Sequence, residues 1–369
     1  MKEREKMKKT LYVCMALVLL FAGLAACAPD APVAEAPAPP PVEAPAVIAP
    51  DEPVFEAPRT EEEVPELDEE EGFQYPGAVG KKVALILKDL TNPVWIECEA
   101  GARAAANFFG MELVARAPIV SNDNLEQIQL VEQLIAQNID IMVLIPSDSI
   151  GIVPAVISLN NANIPVINLN TWINAEGTDA FFETFVIADN YTCAQYSANE
   201  LADLSGGEGK VVILQGPSGG QVTIDLTRGA VETFANFPGI EIVDTVDAEF
   251  NRATAYATMQ NLLQAHPDLR MVFSCNDEMA LGALAALEEA GRRNNDDQHI
   301  FIGGVDGNQE AIRAVSEGKL DFTVNKSFYR QGWAGIEVAA MFLDGENLPE
   351  RIPLEIVLIT KDNALDFLN

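Results

Sequence analysis

From about Lys81 to the end of the chain, short apolar runs alternate with longer stretches in which apolar residues recur every three or four positions. Lys82–Leu87, Met111–Ala115, Ile141–Ile145 and Pro165–Leu169 read as strands. Between them, the stretch from about Asn92 to Phe109, closed by Gly110, reads as a helix. So does Asn124–Asn138, with Leu125, Ile128, Val131, Leu134 and Ile135 at helical spacing. Strands that are apolar throughout, rather than at alternate positions, belong in a parallel sheet covered on both faces. The pattern then restarts. Phe185–Ala188 leads into a helix over Cys193–Leu204, and Lys210–Leu214, Glu241–Val246, Met271–Ser274 and Ile300–Val305 follow as strands. Two such rounds predict two similar α/β lobes.

One junction is informative by itself. The strand Met271–Ser274 is broken by Asn276 and Asp277, and an Ala- and Leu-rich helix follows from Glu278 to Ala290, stopped by Gly291. In an open parallel sheet, ligands sit beyond the carboxyl ends of the strands, where Asn276 lies. Its amide both donates and accepts, which suits a hydroxyl-bearing ligand. An ordinary turn residue fits the same position, and Asp277 is a candidate cap for the helix.

The first 80 residues follow other rules. Lys2, Arg4, Lys6, Lys8 and Lys9 precede an apolar run from Leu11 to Ala26, as in a secretory signal over residues 1–26. From Ala28 to Gly80 the chain is Ala, Pro and Glu, with ten prolines between Pro29 and Pro58 and a local net charge of −13. That composition buries too little to fold, so residues 27–80 are expected to be an extended spacer. The whole 369-residue chain carries net charge −33, which argues against nucleic acid as a partner. Past the leader and Cys27, only Cys98, Cys193 and Cys275 remain, without Cys-x-x-Cys. Buried thiols are therefore expected, not disulfides or zinc.

Phe273-Ser-Cys-Asn276-Asp277-Glu278-Met279-Ala-Leu-Gly-Ala resembles a segment of the ribose-type periplasmic sugar-binding proteins that feed ABC importers. Thr91-Asn92-Pro93-Val94-Trp95, Ile145-Pro146-Ser147-Asp148, Asn163-Ile-Pro-Val-Ile167, Met259 to Asp268 and Gly304-Val-Asp306-Gly307 agree, in family order. The resemblance implies the type I fold: two similar doubly wound parallel-sheet lobes joined by a three-segment hinge, crossing near Ala188, Lys326 and Glu355. The N-terminal lobe would comprise 81–188 with 327–355, and the C-terminal lobe 189–326 with 356–369. Leu24-Ala25-Ala26-Cys27 resembles a bacterial lipoprotein box, which would make Cys27 the lipidated first residue of a protein tethered outside the cell membrane.

Carried over position by position, the resemblance implies a sugar site in the cleft between lobes. Asn92, Asn276 and Asp306 match hydrogen-bonding residues, and Trp95 and Phe250 match aromatics that cover the sugar ring. Lys88 sits where such proteins place a polar contact, and Lys326 stands where ribose binders have Gln. Each also has an ordinary reading: a pre-helix cap for Asn92, core for Trp95, a solvated charge for Lys88 and a cap for the helix at Asn308–Glu317 for Asp306. Departures matter as well. Asn170-Thr171, followed by Trp172, replaces the family's Asp-Arg, and Val94 replaces a second stacking aromatic. A family Arg falls near Leu226. The pocket thus loses two guanidinium groups, so ribose itself is not implied. The amides of Asn92, Asn170 and Asn276 favour a neutral sugar or polyol, with an acidic one as the alternative if Lys88 and Lys326 both face the ligand.

Enzyme chemistry finds little purchase. Gly216-Pro-Ser218-Gly-Gly220 has the letters of a nucleophile elbow, but the two histidines, His266 and His299, lie in polar turns. There is no Walker motif or paired zinc spacing, so no cofactor or metal is expected. The expected partners are a small-molecule sugar, an ABC transporter permease and, through the lipid, a membrane, with the chain acting as a monomer. A surface receptor of the same fold is the alternative. A sugar-responsive repressor is disfavoured because a secretion signal stands where a basic DNA-binding module would be.

Overall fold

The computed structural model describes residues 54–66, 73–120, 123–293 and 299–368. The secretion signal, Cys27 and most of the expected spacer lie outside the described residues. The continuously apolar runs become central strands, buried along most or all of their length: β1 (Lys82–Ile86), β3 (Ile141–Leu144) and β4 (Val166–Leu169). With β2 (Glu112–Arg116), β5 (Thr184–Ile187) and β11 (Arg351–Pro353) they form a parallel sheet in the order β11-β5-β4-β3-β1-β2. The helices that flank this sheet are α1 (Pro93–Phe108), α2 (Asn124–Ile135), α3 (Val153–Asn161) and α9 (Phe328–Leu343). Their apolar sides close a core on each face.

The second sheet has the same plan. Its order is β12-β10-β9-β8-β6-β7, built from β6 (Glu208–Gln215), β7 (Gly239–Asp247), β8 (Leu269–Ser274), β9 (Phe301–Asp306), β10 (Phe322–Asn325) and β12 (Val357–Thr360). Its helices are α4 (Asn190–Ser205), α5 (Gln221–Phe234), α6 (Arg252–Ala265), α7 (Asp277–Glu289) and α8 (Gln309–Ser316). The expected two-lobed α/β fold is therefore present, with one refinement. β12 runs antiparallel to β10, an edge strand added to an otherwise parallel sheet. The chain passes between lobes three times: from β5 to α4, from β10 to α9 and from β11 to β12.

The second crossing returns α9 to the first lobe, where it meets α1 backbone to backbone. A Cβ at Gly332 would lie 1.8 Å from the Cys98 carbonyl oxygen, and one at Gly101 would lie 1.9 Å from that of Tyr329. Only glycine allows this approach. α2 departs from its expected stripe. Leu125 is 66% exposed, whereas Gln127 is fully buried. Gln127 Nε2 donates to the Leu87 and Ile145 carbonyls at 3.1 and 2.9 Å, and its Oε1 accepts from Ser147 N. A polar residue thus ties together the ends of two strands, and periodicity counts only apolar positions.

The expected spacer also ends earlier than Gly80. Phe55 forms a bridge with Leu354, a 3₁₀ turn spans Glu61–Glu63, and Tyr75 is buried with its ring 5.2 Å from that of Phe109. Phe55, Val64 and Tyr75 give this acidic, proline-rich stretch apolar groups to bury, which overrides its composition. Cys98, Cys193 and Cys275 are free and buried. Among the described residues, no helix is long and apolar enough to cross a membrane and no cluster suits a metal ion.

Adding a methyl group at the α1–α9 contact should strain the first lobe. Gly332→Ala is expected to destabilise the protein by about 1–3 kcal/mol, the usual range for overpacking. Urea unfolding checks this; an unchanged midpoint would mean that the helices separate freely.

Candidate functional site

Six strand ends converge between the lobes. Lys88 and Asp89 follow β1, Asn170 follows β4, Glu249 and Phe250 follow β7, and Asn276 follows β8. Asp306 ends β9 and Lys326 follows β10. Together with Asn92 and Trp95 at the start of α1, they line one cavity of about 130 Å³. All eight ligand-contact candidates named from the sequence, Lys88, Asn92, Trp95, Asn170, Phe250, Asn276, Asp306 and Lys326, are thus brought together, four from each side of the first crossing.

The backbone is bent to achieve this. Asn170 (φ 65°), Glu249 (58°), Phe250 (53°), Asp306 (130°) and Ser327 (44°) all hold positive φ, and all lie on the cleft wall or at the hinge. Such conformations cost about 1–3 kcal/mol each and persist only where the surroundings enforce them. Phe250 shows the enforcement. Its ring occupies the place of a side chain at Gly216, where a Cβ would lie 2.1 Å from it. The Gly216–Gly220 stretch therefore makes room for a cleft aromatic. Ser218 N donates to Asp247, and α5 begins only at Gln221.

Capping resolves the rival roles. Asn276, not Asp277, caps α7: its Oδ1 accepts from Met279 N at 2.9 Å. Asp277 is buried and accepts from Thr323 Oγ1 and Asn308 N, both at 2.7 Å. Asn308 caps α8. Asp306 is therefore released from capping, and its carboxylate pairs with Lys326 Nζ at 3.0 Å, both side chains being almost fully buried. Asn92 caps α1 through Oδ1, which accepts from Val94 N at 3.3 Å. A capping asparagine uses its oxygen and can turn its NH₂ elsewhere, so capping and cleft contact coexist.

Lys326 is the knot of the hinge. Its Nζ also reaches Asn190 Oδ1 at 3.3 Å, just past the first crossing. Its carbonyl accepts from Gln331 Nε2 at 3.1 Å, and Gln331 Oε1 in turn accepts from Asn170 Nδ2 at 2.7 Å. Burial works against the Lys326 charge, but the adjacent Asp306 outweighs it and holds the ammonium above its ordinary range. Lys88 is the opposite case. Burial, then repulsion from Lys326, lowers its ammonium to about 8. Its Nζ stands 5.7 Å over the Trp95 ring, a cation–π arrangement.

Trp95 combines both readings made of it: it is buried in the first lobe's core and also lines the cavity. Phe328 packs edge-on against it, with centroids 5.1 Å apart, and lines the cavity as well. The sequence reasoning missed Phe328, Asn190, Gln331 and Asp89. Phe328 and Gln331 lie just past Lys326, and Asn190 lies just past the Ala188 crossing, so their nearness to expected hinge points was the available signal. Asp89 accepts from Thr91 and Asn92 backbone N–H groups and shapes the loop.

A family model described as the periplasmic binding protein domain matches residues 83–347. The ribose import binding protein of Escherichia coli (strain K12) is 31% identical over 279 residues, 76% of this chain and 90% of that protein. An ABC transporter solute-binding protein from Actinobacillus succinogenes, solved with bound D-allose, superposes with TM-score 0.73 at 29% identity, covering 78% of this chain and 99% of that one. One from Bacillus halodurans, solved with bound myo-inositol, gives TM-score 0.71 at 28% identity, over 79% and 98%. These relatives are named as binding proteins, not enzymes. The match spans most of the folded region and coincides with the two lobes and the cleft between them, and the chain belongs to the periplasmic binding protein domain family.

Proposed function

We propose that this chain is a lipid-anchored extracytoplasmic protein that captures a monosaccharide or related polyol in the interlobe cleft and hands it to an ABC importer through its permease. The observation that carries this reading is the lining of the cavity. Amides, three carboxylates (Asp89, Glu249 and Asp306) and two ammonium groups from two lobes sit beside three aromatic rings, Trp95, Phe250 and Phe328. A sugar ring needs both kinds of wall. Its hydroxyls must be paired, since a buried unpaired polar group costs about 1–3 kcal/mol. Its C–H face is covered by aromatic surface. The bound sugars and polyols named for the relatives are of that class.

A neutral ligand fits better than an acidic one. The charge of Lys326 is met by Asp306 at 3.0 Å, which leaves Lys88 as the cleft ammonium that a ligand hydroxyl can address. The cleft is complete within one chain, which supports a monomer. A ligand touching both lobes favours the closed arrangement by its differential affinity for closed over open, and a permease can read the closed surface. The anchor is assigned to Cys27 on the small residues that precede it and the apolar run that ends there.

Thermal shift of the protein against D-ribose, D-allose, xylitol and myo-inositol tests this reading. A true ligand at a hundredfold excess over its dissociation constant adds about 2.7 kcal/mol of stability. If none of these, nor any other small sugar or polyol, moves the melting temperature, the reading fails. The contact variants must spare the structural roles found above. Asp306→Ala and Asp306→Asn both remove the counter-charge of Lys326, but Asn keeps an oxygen that can accept from Lys326 Nζ, so Asp306→Asn is the milder probe and is read beside its own melting temperature; Asn276→Ser keeps the α7 cap. Each should weaken the responding sugar by roughly 1–3 kcal/mol, about 5- to 150-fold, by calorimetry. Equal affinity in variant and wild type removes that residue from the site.

The lowered Lys88 ammonium predicts a pH dependence. Below about pH 8 Lys88 is charged and donates to the ligand; as pH rises past that value it loses the proton and a charge-assisted hydrogen bond weakens. Affinity for the responding sugar should fall between about pH 8 and 9.5 in the wild type and stay flat in Lys88→Met. A flat wild-type profile would place Lys88 outside the contact set.

Cys27→Ser should release the protein from membranes after export, with unchanged melting of the folded region. Wild-type protein recovered freely soluble, with an unmodified Cys27 thiol, would overturn the anchor.

A further inference from the structure

On the hinge side of the molecule, the segment 54–64 lies across the third crossing. Phe55 N donates to the Pro353 carbonyl at 2.7 Å, and Phe55 bridges Leu354 in parallel, immediately after β11. Phe55, Ala57 and Val64 pack against the first lobe's core. Four residues beyond Phe55, the chain reaches the other side. Arg59 Nη2 pairs with Glu355 Oε2 at 2.9 Å, inside the crossing itself. The Arg59 guanidinium also stands 5.6 Å over the ring of Phe367, which packs on the second lobe's core. Glu355 is shared: Arg330 of α9, just past the second crossing, reaches the same oxygen at 2.6 Å. Beneath the segment lies a space of about 490 Å³ walled by Glu97 and Ala100 of the first lobe and by Gln309 and Ile312 of the second.

We infer that residues 54–64 are a hinge strap: the chain's own N-terminal segment clamps the third crossing and favours the lobe arrangement seen here. Both ends, at Phe55 and Val64, are held to the first lobe, Phe55 by backbone hydrogen bonding as well as apolar packing. The middle, at Arg59, touches the crossing and the second lobe. Rotation of the second lobe about the hinge changes the spacing between Arg59 and Phe367 while leaving Phe55 on Pro353. Contacts made in one arrangement and lost in another bias the equilibrium by that difference. Where strap and ligand favour the same lobe arrangement, each helps the other to bind, and the effect is reciprocal. Composition alone assigns this stretch to the spacer. The structure instead makes it the point at which the spacer meets the moving part of the protein.

Hydrogen exchange read by mass spectrometry on the full ligand-free chain tests this, and it needs no sugar, so it stands apart from the ligand reading. Arg59→Ala leaves the Phe55 bridge intact and removes the contacts to Glu355 and Phe367; Phe55→Ala keeps the backbone bond to Pro353 but removes the ring packing that holds the segment to the first lobe. In both variants, amides at the three crossings (187–190, 325–328 and 354–357) and at the cleft loops 88–92 and 249–251 should exchange several-fold faster. The core strands β3 and β8 should keep wild-type protection, which shows that the fold is intact. Arg59→Lys, which keeps the charge, should lie between Arg59→Ala and wild type. Faster exchange confined to 54–66, with the crossings and cleft unchanged, would show a docked segment without influence on the hinge and would overturn the inference.

Discussion

A buried ion pair organises this molecule. Asp306 ends a central strand of the second lobe, and Lys326 lies where the chain leaves that lobe; their 3.0 Å contact sits at the floor of the cleft. Taking two charges out of water costs several kcal/mol each, and a buried pair often adds little to stability. Here its effect is placement. Through Asn190, Gln331 and Asn170, the polar groups of Lys326 reach the first crossing, α9 and the end of β4. The positive φ angles of Asp306 and Ser327 lie on either side of the same knot. The floor of the cleft cavity and the pivot of the lobes are therefore built from the same residues.

The fold was largely legible because burial on both faces leaves a plain mark. A strand such as Ile141–Leu144 has no polar alternation to confuse it with a surface strand. What escaped was polar and structural at once. Gln127 and Asp277 are fully buried and hold strand ends and loops by hydrogen bonds, and no hydrophobic pattern points to them. The structured part of the acidic spacer escaped for a related reason. Composition averages over a window, whereas Phe55 and Tyr75 act singly, each finding a specific partner far along the chain.

At the site, the residues carried over from the family resemblance line one cavity, and several of them also hold the fold. Asn92 and Asn276 are caps as well as cleft residues, so the two readings of each were not rivals. Asn170 is partly spent on Gln331 and Thr171 and so shapes the cavity wall. Trp95 belongs to core and cavity together. Such double duty follows from building a site at strand ends and helix starts, where backbone groups need partners and ligands need donors. The replacement of family arginines is consistent with this economy. The ammonium of Lys326 neutralises Asp306 from within the protein, and less charge is left for the ligand to satisfy.

The most direct test is a crystal structure of the protein with the sugar that stabilises it most. One sugar ring is expected in the cleft, flanked by Trp95 and Phe250, with hydroxyl oxygens in hydrogen-bond reach of Asn276, Asp306 and Lys88, and the Lys326–Asp306 pair retained. Sugar density elsewhere on the molecule, or a ligand held by one lobe with the Lys326–Asp306 pair broken, would contradict that expectation.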